Sequence, residues 1–332
     1  MTKLKGILLT EGMHGMISQV EGLAKALDLD FIHEKIELNN FWKLFPPKLT
    51  PVQDFVFKNK INSEFDIVIS CGRKSVIPSI YLKKKFKSKI INIHIQEPKV
   101  SLDNFDFVVA PEHDGLKGSN VLTSKGAVHY LTNIELDENE NYLKSRISTE
   151  KKVVTLILGG PTRYYDYNNQ VIDSLFSKIK HNFLKNNYQL IVAPSMRTPQ
   201  NLIEKAKNYF DTDQIVIPNV DKKAYLSSLK ISDHIVVTCD STSMISEAAI
   251  TGKPIYVAQM PAIKNNKRFK SFFNLFESLN IIKELNNSVE NWTYTKSVSY
   301  THLRAHETSL HLVCRLLLEK TETHGRPLRV LC

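Results

Sequence analysis

Long apolar runs are missing from this chain. No stretch approaches the roughly 18–20 apolar residues that a membrane-spanning helix needs. The start, Met1 to Leu9, has two lysines and a short apolar run from Gly6 to Leu9, and reads as a first strand rather than a secretory leader. Cysteine is scarce: Cys71, Cys239, Cys314 and Cys332, with no CxxC or other metal-ligand spacing. Cys71 and Cys239 lie in or beside apolar strand-like runs, as buried free thiols in a reducing compartment would. No GxGxxG follows a strand, so the dinucleotide fingerprint is absent. The DxD spacings at Asp28–Asp30 and Asp211–Asp213 fall on the edge opposite the ligand loops, so no metal site is expected. Nothing resembles a DNA- or RNA-reading module, so nucleic acid is not an expected partner. A cytoplasmic protein follows, with at most a peripheral seat on the inner face of a membrane.

What is present is ordinary globular composition, 42% hydrophobic and 23% charged over 332 residues, enough for two domains. The formal net charge of +10 suits a phosphate-bearing ligand or an anionic membrane surface. The one dense basic run, Lys83, Lys84, Lys85, Lys87 and Lys89, reads first as a solvated helix end.

Arginine is rare until the end of the chain. Residues 1–296 hold 34 Lys and 5 Arg, whereas 297–332 hold 1 Lys and 4 Arg, with four of the eleven histidines and two of the four cysteines. Ser299–Thr308 resembles a translated transposase-type sequencing adapter, and Leu312–Lys320 resembles the primer that follows one. Residues 297–332 are therefore expected to be a non-native tail, although Leu310 to Glu319 has the pattern of a helix. His302, His306 and His311 carry no metal-site reading.

Through the rest of the chain, strand-like and helix-like segments alternate. In the first half, strands are expected at Lys5–Thr10, Phe31–Ile36, Phe65–Ser70, Ile90–Ile95 and Phe105–Val109, with short ones at Val121–Thr123 and Val128–Leu131. Helices are expected at Ser18–Leu27 and Val76–Phe86. A charged linker, residues 136–152, separates residues 1–135 from a second domain, residues 153–296. That domain repeats the rhythm, with strands at Val153–Leu158, Tyr188–Ala193, Ile215–Ile217, His234–Thr238 and Lys253–Ala258. Its expected helices are Asn169–Leu184, Pro199–Phe210, Lys222–Leu229, Ser243–Ile250 and Phe269–Leu279. Such alternation implies an α/β fold of two Rossmann-like domains, each with a parallel sheet covered on both faces, meeting across a cleft.

Ligands of open α/β sheets sit beyond the carboxyl ends of strands. The strongest loop there is His234 to Pro254. Asp240, Ser241 and Thr242 can cap the helix that Ser243 opens, and its free N–H groups suit an anion. Glu247, one turn in, can accept from ribose hydroxyls; equally, the segment can be a well-capped helix and no more. Gly159–Gly160, before Arg163, permits close approach of a ligand or simply makes a tight turn. Ser195 and Arg197 precede a helix start, where Arg197 can meet a phosphate. In the first half, Gly12 and Gly15 flank His14 after the first strand, a loop that can line an acceptor site; His14 itself reads as a solvent-facing loop residue. Glu112 and His113, before Asp114, can supply a general base or only turn polarity.

Taken in order, Thr10–Leu27, Cys71–Val76, Gln96–Pro98, Val109–Gly126, Leu158–Asp166, Ser195–Pro199 and Val237–Val257 resemble the bacterial relatives of the plant mitochondrial fission protein Elm. The resemblance runs from residue 5 to about 296. It departs at Met16, where bacterial members often carry histidine, and beyond Trp292, where a final helix is expected. The family is similar in architecture to GT-B glycosyltransferases. That implies a second domain binding a nucleotide sugar and a first domain binding the acceptor. The expected function is then glycosyl transfer without metal or cofactor, the nucleotide sugar being the substrate. Ser241, Thr242, Ser243, Arg197, Gly159 and Gly160 would hold the diphosphate, Glu247 the ribose, and Glu112 or His113 would be the base. The alternatives are a non-catalytic adaptor on a membrane or a fission GTPase, and a sugar-nucleotide epimerase.

Overall fold

The computed structural model describes residues 3–58, 61, 64–286 and 288–295. The adapter-like tail and any helix beyond Trp292 lie outside them. The chain divides into two units, one ending at Tyr130 and the other starting at Leu131. Each is built on one six-stranded sheet, and every strand pairing within the sheets is parallel.

The first unit contains β1 (Lys5–Thr10), α1 (His14–Ala26), β2 (Asp30–Lys35), β3 (Ile67–Cys71), α2 (Val76–Phe86), β4 (Ile91–Ile95), β5 (Phe107–Pro111) and β6 (Val121–Ser124). Its strand order is β2-β1-β3-β4-β5-β6. Successive strand residues face opposite sides. Ile67, Ile69 and Cys71 of β3 pack with Val20, Leu23 and Leu27 of α1, while Val68 packs with Val76, Ile77 and Ile80 of α2. Both sheet faces are therefore covered, which is why these strands read as unbroken apolar runs. Two expectations change. Helix α1 starts at His14, four residues before Ser18, because the Met13 carbonyl already accepts from Met16 and Ile17. That first turn is largely solvent-facing and shows no apolar stripe. No strand forms at Val128–Leu131; there the Tyr130 N–H donates to Ser18 Oγ at 3.4 Å.

The second unit contains α3 (Asn133–Asn139), α4 (Asn141–Lys144), β7 (Lys152–Leu158), α5 (Asn169–Asn182), β8 (Tyr188–Pro194), α6 (Gln200–Tyr209), β9 (Ile215–Val216), α7 (Lys222–Ile231), β10 (His234–Thr238), α8 (Thr242–Ala248), β11 (Ile255–Ala258), α9 (Lys267–Ser278) and β12 (Ile282–Glu284). Strand order is β12-β11-β10-β7-β8-β9. On one face, Ile191 and Ala193 of β8 pack with Ala224 of α7 and Leu143 of α4. On the other, Phe183 meets the rings of Tyr188, His234 and Tyr256. Residues 136–152, read from charge as a linker, are part of this body. Thr132 and Glu135 form a reciprocal capping box that starts α3. Leu136 and Leu143 are buried, and Ser227 of α7 accepts from the Leu143 N–H at 3.0 Å while donating to the Glu140 carbonyl at 2.9 Å. The charge lies on the outer surface of this small helical layer. Strand β12 has only three residues and carries no period long enough to read. Among the described residues no helix is long and apolar enough to cross a membrane.

One buried group gives the first unit a pH dependence. His94 of β4 is 1% exposed, its Nδ1 2.8 Å from Ser70 Oγ, and burial lowers its pKa from 6.5 to about 3. A folded-state pKa below the unfolded one means that the unfolded chain binds the proton more tightly. The stabilisation is present above pH 6.5 and lost as the pH falls toward 3, on the order of 3 kcal/mol by pH 4. Melting temperatures of the wild type and His94→Asn from pH 7 to 4 check this: the variant's decline should be clearly shallower, and parallel declines would remove His94 as the cause.

Candidate functional site

In the second sheet the chain leaves β7 for β8 and β9 on one side, then returns to place β10 on β7's other side. The loops after β7 and β10 thus diverge at the point where strand order reverses, where open α/β sheets form a crevice. Three loops meet at this carboxyl edge: Gly159–Gly160 after β7, Ser195–Thr198 after β8, and Cys239–Ser241 after β10.

Asp240 ties them together. Its side chain has 0% exposure, so its charge needs donors from the protein. Oδ1 accepts from Tyr167 Oη at 2.5 Å and Thr238 Oγ1 at 2.7 Å, while Oδ2 accepts from Arg197 Nη2 at 2.5 Å and from the Gly160 N–H at 3.5 Å. Thr238 Oγ1 in turn accepts from the Gly159 N–H at 2.8 Å. Burial first, then the adjacent Asp240 carboxylate, pushes the Tyr167 phenol far above its ordinary range, so it remains a donor. The glycines are forced by space. A Cβ on Gly159 would lie 2.0 Å from Asp240 Oδ1, and one on Gly160 would lie 1.9 Å from the Arg197 carbonyl oxygen.

The expected ligand residues fall into different positions around this carboxylate. Arg197 has a half-exposed side chain and already pairs with Asp240, so part of its charge is offset within the protein. Ser195 belongs to the turn itself: Oγ accepts from the Arg197 N–H at 3.3 Å and lies 3.2 Å from Thr198 Oγ1. Ser241 is the residue that caps α8, accepting from the Met244 N–H at 3.4 Å, and Asp240 is not a cap. Thr242 and Ser243 occupy the first turn of α8 and are half-buried. Glu247 is half-buried and accepts from Tyr225 Oη of α7 at 2.9 Å. The Arg163 guanidinium lies over the Tyr164 ring at 4.6 Å. Cys239 is buried beneath the loop; burial pushes its thiol pKa up to about 12, and the Met260 N–H points at its sulfur at 3.2 Å. Nearby, a cavity of about 310 Å³ opens between the start of α5 and the ends of β11 and β12, with Gln170, Lys178, Gln259, Met260 and Glu284 in its wall.

The first unit has its own carboxyl edge. Gly12 adopts φ +83° with its N–H on Thr10 Oγ1 at 3.1 Å. Gly15 lies in the first turn of α1 with nothing within 4 Å of a Cβ, so no close approach demands glycine there. His14 is exposed, as read from the sequence. Glu11 accepts from the Lys74 N–H at 3.0 Å and pairs with its Nζ at 2.7 Å. Gly72, with φ +95°, adopts a conformation in which a side chain is strained, and Met16 Sδ lies 2.6 Å from where its Cβ would be. At the end of β5, Glu112 is exposed and pairs with Lys125 at 3.0 Å. The His113 side chain has 0% exposure, with Nε2 3.5 Å from Asp114 Oδ1. Of the two candidate bases, only Glu112 reaches solvent. In the basic run, Lys83 is bound to Asp106 at 2.6 Å. The DxD residues are engaged elsewhere, Asp28 with Lys3 and Asp213 with Lys151. Among the described residues no group of three or more His, Cys, Asp or Glu side chains converges.

Sequence reasoning missed the roles of Asp240 and Tyr167. Their link spans 73 positions and exists only because β7 and β10 are neighbours.

Comparison with known proteins places these features. The chain is 25% identical over 281 residues to an uncharacterized protein of Rickettsia prowazekii, covering 72% of this chain and 76% of that one. It is 27% identical over 221 residues to the mitochondrial fission protein ELM1 of Arabidopsis thaliana, covering 58% of this chain and about half (51%) of the plant protein. In fold it is similar to a UDP-N-acetylglucosamine 2-epimerase, with TM-score 0.52, 14% identity and 100% of both chains covered. It is likewise similar to the UDP-GlcNAc 2-epimerase of Methanocaldococcus jannaschii, with TM-score 0.50, 15% identity and 95% and 99% covered. The architecture is thus the α/β, GT-B-like one of two Rossmann-like units. Residues 14–308 match the family model described as Mitochondrial fission ELM1, and the chain belongs to that family.

Proposed function

We propose that the carboxyl edge of the second sheet binds the nucleoside diphosphate of a nucleotide sugar, and that the protein is a GT-B-type glycosyltransferase working without a metal. The observation that carries this reading is the convergence of three strand-end loops on the buried carboxylate of Asp240, at the reversal of strand order. Such a loop set is costly to build. It confines two positions to glycine, buries a charge and fixes the geometry of an arginine, and a purely structural turn needs none of these. Asp240 would hold Arg197 in one orientation by a single nitrogen, leaving its other N–H donors for a phosphate. The Thr242 and Ser243 hydroxyls and the backbone at Gly159–Gly160 would complete the diphosphate contacts, with Ser195 shaping the turn and Ser241 capping α8. Glu247, oriented by Tyr225, would take the ribose. As the sugar leaves, charge grows on the departing diphosphate, and these fixed donors would stabilise it most at that moment. In the first unit, Glu112 fits a general base better than His113, because its carboxylate reaches solvent. Gly12 and Gly15 would border the acceptor.

The fold neighbours named as epimerases supply the probe and the competing chemistry. Titrating UDP into the full chain by calorimetry should give saturable binding, weakened at least tenfold in Glu247→Ala. No saturation with UDP or other nucleoside diphosphates, or an unchanged affinity in Glu247→Ala, would sink the site. Incubation with UDP-sugars in the absence of acceptor should yield no epimer; an epimeric product would replace transfer by epimerisation.

A second pair of variants tests the loop geometry. Gly160→Ala should lose UDP binding at least tenfold, since its Cβ would meet the Arg197 carbonyl, whereas Gly15→Ala should bind as the wild type does. Equal affinities in both variants would show that the Arg197 loop is not part of the site.

A further inference from the structure

A different surface of the first unit exposes a group of large apolar side chains. Residues 39–57, which follow β2, form a platform of three single-turn helices, at Trp42–Leu44, Pro47–Leu49 and Asp54–Val56. Large apolar side chains project from it: Phe41 is 60% exposed, Leu44 81%, Leu49 67% and Phe55 56%. The rings of Phe41, Trp42, Phe45 and Phe55 belong to one cluster, with Phe41 4.9 Å from both Trp42 and Phe45, and Trp42 6.1 Å from Phe55.

This is an anchored platform. Arg73 donates from Nη2 to the Lys43 carbonyl at 2.8 Å and from Nη1 to the Phe45 carbonyl at 3.3 Å. The Asn39 N–H donates to the Val56 carbonyl at 2.9 Å, and Thr50 Oγ1 to the Pro46 carbonyl at 3.0 Å. Pro47 and Val56 are buried on the underside. A fold that spends an arginine on holding apolar tips outward has a use for them, because exposed apolar clusters of this kind mark contact surfaces.

The charges identify the contact. Between 39 and 58 lie Lys43, Lys48 and Lys58 against one acid, Asp54. Lys58 pairs with Glu37 at 3.8 Å, while Lys43, whose Nζ donates to Asn40 Oδ1 at 3.1 Å, and Lys48 directly precede the exposed Leu44 and Leu49 in the chain. Aromatic and leucine side chains interleaved with lysines suit the boundary of an anionic bilayer, where rings and aliphatic tips enter the headgroup layer and ammonium groups meet phosphates. We propose that Phe41, Leu44, Leu49 and Phe55 insert into an anionic lipid surface, with Lys43 and Lys48 on its phosphates. This is peripheral attachment and involves no membrane-spanning helix.

Co-sedimentation of the full chain with phosphatidylcholine vesicles, alone or with 30% (about one lipid in three) phosphatidylglycerol, tests this. The wild type should bind the mixed vesicles at least tenfold more tightly than the neutral ones. Phe41→Ser with Leu44→Ser should lose that binding at least tenfold with an unchanged circular dichroism spectrum, and Lys43→Glu with Lys48→Glu should abolish the anionic preference. If the double serine variant fails to fold, Leu44→Ser alone, at the most exposed position, should still weaken binding severalfold. The proposal is overturned by absence of wild-type binding, by binding that survives these changes, or by binding that depends instead on Lys83–Lys89. Light scattering that shows a dimer lost in the serine variants would also overturn it, by assigning the surface to a second copy of the chain.

Discussion

The carboxyl edge of the second unit depends on how one buried carboxylate is satisfied. Asp240 has no solvent, so every lone pair it presents must be met by the protein, and the donors come from three separate strand ends and from Tyr167. Charge-assisted bonds of this sort are short and directional. They fix where the loops after β7 and β8 run, and the fixed backbone leaves no room for a Cβ at Gly159 or Gly160. The same bonds decide what Arg197 can offer: a guanidinium held from one side, with its charge partly offset, is a directional donor rather than a general attractor of anions.

The first unit solves the equivalent edge differently. Its strand ends also need a glycine, at Gly72, where φ is positive and Met16 packs against the backbone. Its charges, however, are paired in partly open positions, Glu11 with Lys74 and Glu112 with Lys125. Partly solvated pairs contribute little to stability and rearrange readily. The two edges thus differ in how they are held, one around a buried carboxylate and the other by partly solvated ion pairs. The apolar platform at 39–57 belongs to the same first unit, where Arg73 anchors its first turn through the Lys43 and Phe45 carbonyls.

Periodicity made most of the architecture readable. Val76–Phe86 and His234–Thr238 have the expected bounds because their apolar runs are closed by strong local signals, Gly72 before the first and the polar Asp240–Thr242 after the second. Local patterning failed where the deciding contact was distant. Residues 136–152 look like a charged linker until Leu136 and Leu143 find α7, and the first turn of α1 has no apolar stripe because solvent covers it.

The sequence alone determined two parallel-sheet units, because their rhythm follows from spacing within a few residues, and it narrowed the cap before α8 to three residues, of which the structure selects Ser241. It also marked Arg197, Glu247 and Glu112 as candidates by their places after strands or in a helix's first turns. Only the tertiary structure decided that Asp240 is the organising charge, that Arg197 is already paired, and that His113 is shut away while Glu112 is exposed. Burial and pairing across some 40 to 80 positions depend on which strands become neighbours, and strand order is a property of the whole sheet that no local window contains.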